Sequence, residues 1–221
     1  MASYAYFDPE MKRYILGKAL IPAQERFKPE DTFNPTYELN YWFWALSTAQ
    51  KWRERLGLKP NEKYAEVLQN LSALPVQNGI YLATESATDS YTNEKYLADH
   101  PSVLGAFGML SETPMLDKTI MKATFEKVWK VWHWDDTWGW DFPMTAMTAT
   151  RLGMPDKAIE ALLMPIQTNT YLPNGHNYQN ARLRLYLPGN GGILSAVALM
   201  CTENGFPKTW KVRWEGMKGM P

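Results

Sequence analysis

The chain has 221 residues, is 45% hydrophobic and carries 23 basic against 23 acidic residues, a formal net charge of +0. That length and composition describe one large domain, or one with an appendage, with enough apolar residues for a sizeable core. They leave no basic run to track phosphates, so nucleic acid is not an expected partner. A single cysteine, Cys201, excludes an intrachain disulfide. No stretch is apolar for long enough to span a bilayer, so no membrane partner is expected, and no signal peptide is visible at the N-terminus. Periplasmic, secreted and cytoplasmic locations all stay open, as does the oligomeric state. Ten Trp and 12 Tyr are many for this size; indoles fill cores, and they also suit the flat apolar faces of sugar rings.

Residues 8–19 read as a short helix, with Asp8 as cap, Pro9 as first residue and Met11, Tyr14, Ile15 and Leu16 as a partial stripe. A loop with three prolines and three carboxylates follows. Residues 36–56 read as a strong helix whose first half is apolar on most sides and which Gly57 ends. Residues 61–74 follow the one-sided period of a surface helix.

Within the connection 75–100, Asn78-Gly79 marks the turn of a small hairpin over 76–82. Residues 102–110 read as a charge-free buried helix. Asp117 caps a surface helix running to about Trp132. Residues 143–152 make another charge-free helix, with Pro143 suited to its first position and Gly153 just past its end. A short amphipathic helix covers 156–164, a long connection 165–190 and a third charge-free helix 191–203. In the tail, Trp210, Val212 and Trp214 alternate as in a strand.

Buried and surface helices therefore alternate. The loops entering the buried ones are long (20–35, 75–100, 133–142 and 165–190), and those leaving them are short. Helical hairpins joined by short links would place every long loop at one end, where helix N-termini concentrate positive potential. The expected fold is all-α, an α/α toroid of about four hairpins over residues 1–205, with a short C-terminal β segment over 206–221.

With that layout, three motifs resemble the catalytic domain of six-hairpin glycosidases, and are similar to glycoside hydrolase families 65 and 95. They are Pro22-Ala23-Gln24-Glu25 followed by Asn34-Pro35-Thr36-Tyr37-Glu38; Trp138-Gly139-Trp140 with Arg151-Leu152-Gly153; and Leu187-Pro188-Gly189-Asn190-Gly191-Gly192. The resemblance implies a bacterial carbohydrate-active enzyme with Glu25 as general acid and no cofactor. It implies an oligosaccharide or glycoside as partner. It also implies six hairpins where this chain holds about four. In family 95 an aspartate precedes the Gly-Asn; here Pro188 stands there, so a base must come from elsewhere.

Glycoside cleavage with inversion needs an acid and a base roughly 6.5–9.5 Å apart. Asp141, between Trp140 and Phe142, is the candidate base, because desolvation raises a carboxyl pKa. The alternative is a cap for the 143–152 helix. Glu38, in the first turn of a buried helix, faces either the pocket or the helix dipole. Asp135 and Asp136 are sugar-hydroxyl ligands or solvated loop acids. Trp134, Trp138 and Trp140 are stacking platforms or core. His133 and His176 are counted among substrate contacts, and the three histidines lack ligand spacing, so no metal is expected. Asn190 either joins a phosphate-holding turn with its glycines or caps the last helix. Three functions stay open: an inverting hydrolase, a phosphorylase that needs no base, and a non-catalytic carbohydrate-binding toroid.

Overall fold

The computed structural model describes residues 1–17, 19–201 and 205–211. Its class is mostly helical, with three short two-stranded antiparallel hairpins.

The expected helix over 8–19 is corrected. Residues 6–15 form a hairpin, β1 (Tyr6–Asp8) against β2 (Arg13–Ile15). Asp8 does cap, but it caps a turn: its Oδ1 accepts the N–H groups of Glu10 at 2.9 Å and Met11 at 3.1 Å. An aspartate before a proline offers the backbone this local bond in place of a helical one.

Helix α1 (Thr36–Arg55) begins behind Pro35 and stops at Gly57, whose φ is +67°. Helix α2 (Glu62–Asn70) is capped by Asn61, which accepts the Tyr64 N–H. It ends earlier than its apolar period, because Leu71 turns extended to bridge Tyr14 of β2. The next hairpin, β3 (Val76–Gln77) and β4 (Ile80–Tyr81), turns at Asn78 and Gly79, both with positive φ as a tight primed turn requires. Helix α3 (Gly105–Gly108) is a single buried turn continuing a 3-10 segment. Helix α4 (Lys118–Val131) is capped by Asp117, whose Oδ1 accepts two first-turn N–H groups.

Helix α5 (Asp141–Arg151) sits at the centre and packs against α3, α6 (Pro155–Leu162) and α7 (Leu187–Met200); α3 in turn packs against α1. Its polar side chains are reconciled with burial locally. The hydroxyls of Thr145, Thr148 and Thr150 each donate to the carbonyl four residues back. The approach of α3 is close: a Cβ at Gly108 would collide with the Thr148 hydroxyl and the Met144 carbonyl.

Two expectations about burial are corrected. Helix α7 begins at Leu187 rather than 191, and it is not a buried helix. Leu187 is 64% exposed, Leu194 73% and Val197 41%, while Gly189, Ala196 and Met200 are buried. Its composition is charge-free, but α5 and β6 (Asn177–Tyr178) cover only one side. Helix α1 likewise buries only Thr36, Leu39, Asn40 and Leu46, leaving Tyr41 and Trp52 exposed. In the tail, Trp210 lies outside any strand and its ring meets that of Phe206; Val212 and Trp214 lie outside the described residues.

The lead-in loops do gather. Gln24 Nε2 donates to the Tyr96 carbonyl, the His133 N–H donates to the Leu97 carbonyl, and the Gly139 N–H donates to Gln179 Oε1. Each long loop is thus stitched to the next along the row α1, α3, α5, α7.

Candidate functional site

At the N-terminal end of α5 the loops bring Glu25, Asp99, His100, Trp138, Trp140 and Asp141 together. Asp141 is the first residue of α5 and is fully buried. Its carboxylate does not cap its own helix. Oδ2 accepts the Trp138 N–H at 2.8 Å, and the two oxygens lie 2.9 and 3.1 Å from His100 Nδ1. Burial, opposed by the His100 bond and charge and by the Trp138 N–H, leaves the Asp141 pKa pushed up to about 6.

Asp99 has φ +66°, a left-handed conformation that aspartate tolerates better than most side chains. It is held there by a bond from its N–H to the Asp136 carbonyl at 2.7 Å. Its Oδ2 accepts the backbone N–H of Glu25 at 2.7 Å, and its Oδ1 accepts the Trp138 indole N–H at 3.1 Å. Glu25 and Asp141 are therefore linked by one chain of contacts, Glu25–Asp99–Trp138–Asp141. Glu25 itself is exposed at the rim, and neighbouring Arg26 is paired with Asp136 at 2.7 Å.

The His100 ring lies between the two aspartates, with Nε2 3.7 Å from Asp99 Oδ1. Burial alone would lower its pKa; the Asp141 bond and the charges of Asp141, Asp99 and Glu25 outweigh that and raise it. The Trp140 indole N–H also reaches Nδ1, at 2.9 Å, with the two rings edge to face. Trp138 is 37% exposed and its ring lies 5.7 Å from that of half-buried Tyr186, a tilted aromatic pair.

Glu38 lies on the inner side of the Glu25 loop. Its Oε1 accepts the Ala23 N–H at 2.6 Å, and its Oε2 is buried without a partner. The residue as a whole is half-buried, but its carboxyl end is sealed, and desolvation raises its pKa against the lowering effect of the Ala23 N–H.

The other candidates stand further out. Trp134 packs inward on Trp129 and Phe142. His133 is exposed, with Nε2 3.2 Å from a Glu94 carboxylate oxygen. Asp135 is exposed, and His176 sits on the hairpin of β5 (Thr170–Tyr171) and β6. Asn190 does not cap α7: its Oδ1 accepts the Asn177 N–H and its Nδ2 donates to the Gly175 carbonyl. Among the described residues, no group of three or more His, Cys, Asp or Glu is arranged to hold a metal ion, and no helix is long and apolar enough to cross a membrane.

Asp99, His100 and Tyr186 are the additions that sequence reasoning missed. The available signal was Asp99-His100-Pro101, an acid and a base at the end of a long lead-in to a charge-free segment. The chain matches no protein-family model and no curated protein sequence.

Proposed function

We propose that the chain is an α/α toroid of carbohydrate-active type, a glycoside hydrolase that cleaves with inversion using Glu25 as proton donor and Asp141 as base. One observation carries the reading. The Glu25 backbone and the Asp141 carboxylate belong to a single hydrogen-bonded cluster, although they come from different lead-in loops. The raised pKa of Asp141 suits a base working near neutral pH. The partly exposed Trp138 beside Tyr186 offers an apolar surface for a sugar ring. The row α1, α3, α5, α7, with uncovered apolar sides on α1 and α7, supports an arc of a ring rather than a closed one. Inorganic phosphate is the less favoured co-substrate, because Arg26 is already engaged by Asp136.

A panel of aryl glycosides tests this. Glu25→Gln is expected to lower turnover by about a hundredfold or more, as loss of a general acid does. Glycosyl fluorides, whose leaving group needs no proton, recover most of it. Asp141→Asn removes turnover of both substrate types. Full activity of Glu25→Gln on poor leaving groups would remove Glu25 from the mechanism.

A second reading, carbohydrate binding without turnover, is favoured by the complete burial of Asp141 with its oxygens already engaged. Calorimetric binding of an oligosaccharide that is not cleaved over days, together with unchanged affinity in Asp141→Asn, would select it.

A further inference from the structure

The imidazole of His100 stands between two buried carboxylates, a position the glycosidase reading does not use. Nδ1 is 2.9 Å from Asp141 Oδ1 and Nε2 is 3.7 Å from Asp99 Oδ1. Trp138 spans the same two side chains with its backbone and indole N–H groups. Asp99 and Asp141 thus have two parallel bridges, one neutral and one titratable.

Nδ1 has a single in-plane position, and two neighbours compete for it. A proton on Nδ1 donates to Asp141. A bare Nδ1 accepts from the Trp140 indole N–H at 2.9 Å, and Asp141 must then be the protonated partner. The surroundings decide between these states. Asp141 comes from α5, Asp99 from the residue before His100, and Glu25 from the loop before α1, so three acids act on the ring. Tyr186, from the lead-in to α7, faces both aspartates, and burial and their charges hold its phenol neutral. Arg26, next to Glu25, is paired with Asp136. The Trp138 N–H already donates to Asp141 Oδ2, a bond that favours the ionised carboxylate. Against three acids, one indole dipole is the weaker influence.

We propose that His100 is a positioning residue: as an imidazolium bridging Asp141 and Asp99, it keeps the Asp141 carboxylate ionised and holds both side chains in register with the Glu25 backbone. Asp99 in turn accepts the Glu25 N–H, so a charge on His100 bears on the placement of the rim glutamate as well as on Asp141.

The test uses the full chain, isotopically labelled. With three histidines in the chain, each imidazole gives a separable long-range proton–nitrogen pattern. The expected result is a His100 ring protonated on both nitrogens at neutral pH, with a midpoint above about 6.5. A neutral ring with a bare Nδ1 at about pH 6 would overturn the proposal. In His100→Asn, the Asp141 carboxyl, followed by carbon-13 shift, is expected to titrate about one unit or more higher than with the histidine present. An unmoved midpoint in the folded variant would also overturn it.

The effect on catalysis rests on the glycosidase reading. There the acidic limb of kcat/KM moves up with the carboxyl midpoint, whereas a uniform fall in rate with an unmoved limb counts against positioning. The imidazole measurement needs no turnover. A chain that cleaves no glycoside yet keeps a charged His100 therefore sinks the glycosidase reading alone.

Discussion

Asp99 and Asp141 are joined by the two N–H groups of one residue. The Trp138 backbone N–H donates to Asp141 Oδ2 at 2.8 Å and its indole N–H donates to Asp99 Oδ1 at 3.1 Å. Trp138→Phe separates the two bonds, because it keeps the backbone donor and a ring while deleting the indole N–H. Asp99 then loses a donor in a buried place. A hydrogen bond to a charged group is worth about 2 kcal/mol, and a loss of that size is expected in urea unfolding at unchanged m-value. A loss below about 0.5 kcal/mol, within the range of neutral surface changes, would mean that the indole bond contributes nothing.

The buried carboxyls give stability a pH dependence of definite sign. Asp141 and Glu38 both have raised pKa values, so the folded chain holds protons that the unfolded chain releases. Their contribution is fully present below the unfolded values near ~4 and is lost as pH rises through the folded values, about 6 for Asp141. His100, also raised, acts in the same direction in a higher window: its contribution is lost as pH rises through its folded pKa. The chain should unfold at higher urea near pH 5 than near pH 8, a difference to which Asp141 contributes roughly 1.4 kcal/mol, the part of its two-unit shift still to be lost above pH 5. Asp141→Asn should flatten the slope between about pH 4 and about 6. A variant with the same slope as the parent would show that Asp141 does not titrate in this window.

Elements governed by near neighbours were legible in the sequence. Asp117 with the period of α4, and Asn78-Gly79 between two short strands, state their structure within a few residues. Residues 8–19 misled because Asp8 serves a helix start and a turn equally well, and the pairing of Tyr14 inside a hairpin decided between them. The burial of α7 misled for a different reason: an apolar sequence says what a helix would hide, not whether a neighbour exists to hide it. At the site, Glu25 could be singled out from motif position and Asp141 from its place between Trp140 and Phe142. Asp99 and His100 could not, since their significance is a distance to residues of another loop. The cap alternative for Asp141 was half right in place, at the start of α5, and differs in bond, since the carboxylate turns back to Trp138 and His100.

Asn177 fixes the lead-in to α7 against the Trp138 loop. It is fully buried; its Nδ2 donates to the Thr168 carbonyl at 3.0 Å and the Thr170 carbonyl at 3.2 Å. Its Oδ1 is pressed between Gly139 and Gly189, where a Cβ on either would collide with it. That oxygen has no N–H or O–H partner in this position, and the close glycine Cα–H groups are its neighbours. Asn177→Asp replaces a donor with a carboxylate oxygen facing two carbonyls. The expected cost exceeds about 3 kcal/mol, the scale of an unpaired buried charge. It should appear as a lowered melting temperature and as faster proteolysis in the 165–186 segment. A variant as stable as the parent would show that the carboxamide does not hold these loops.

The outward side of α7 makes the last prediction, because it separates composition from environment on a single helix. Leu194 is 73% exposed and Met200 fully buried, six positions apart on the same charge-free helix. If that side faces water, Leu194→Lys leaves stability within about 0.5 kcal/mol of the parent, since little apolar area returns to solvent. Met200→Lys places an ammonium in the core and should cost more than about 3 kcal/mol or prevent folding. Sedimentation of the parent and the Leu194 variant at matched concentration completes the comparison. A Leu194→Lys loss as large as a core substitution, together with a lower sedimentation coefficient, would show that the side is covered in solution by a second copy. Equal stability and equal sedimentation leave α7 as the uncovered end of the helical row.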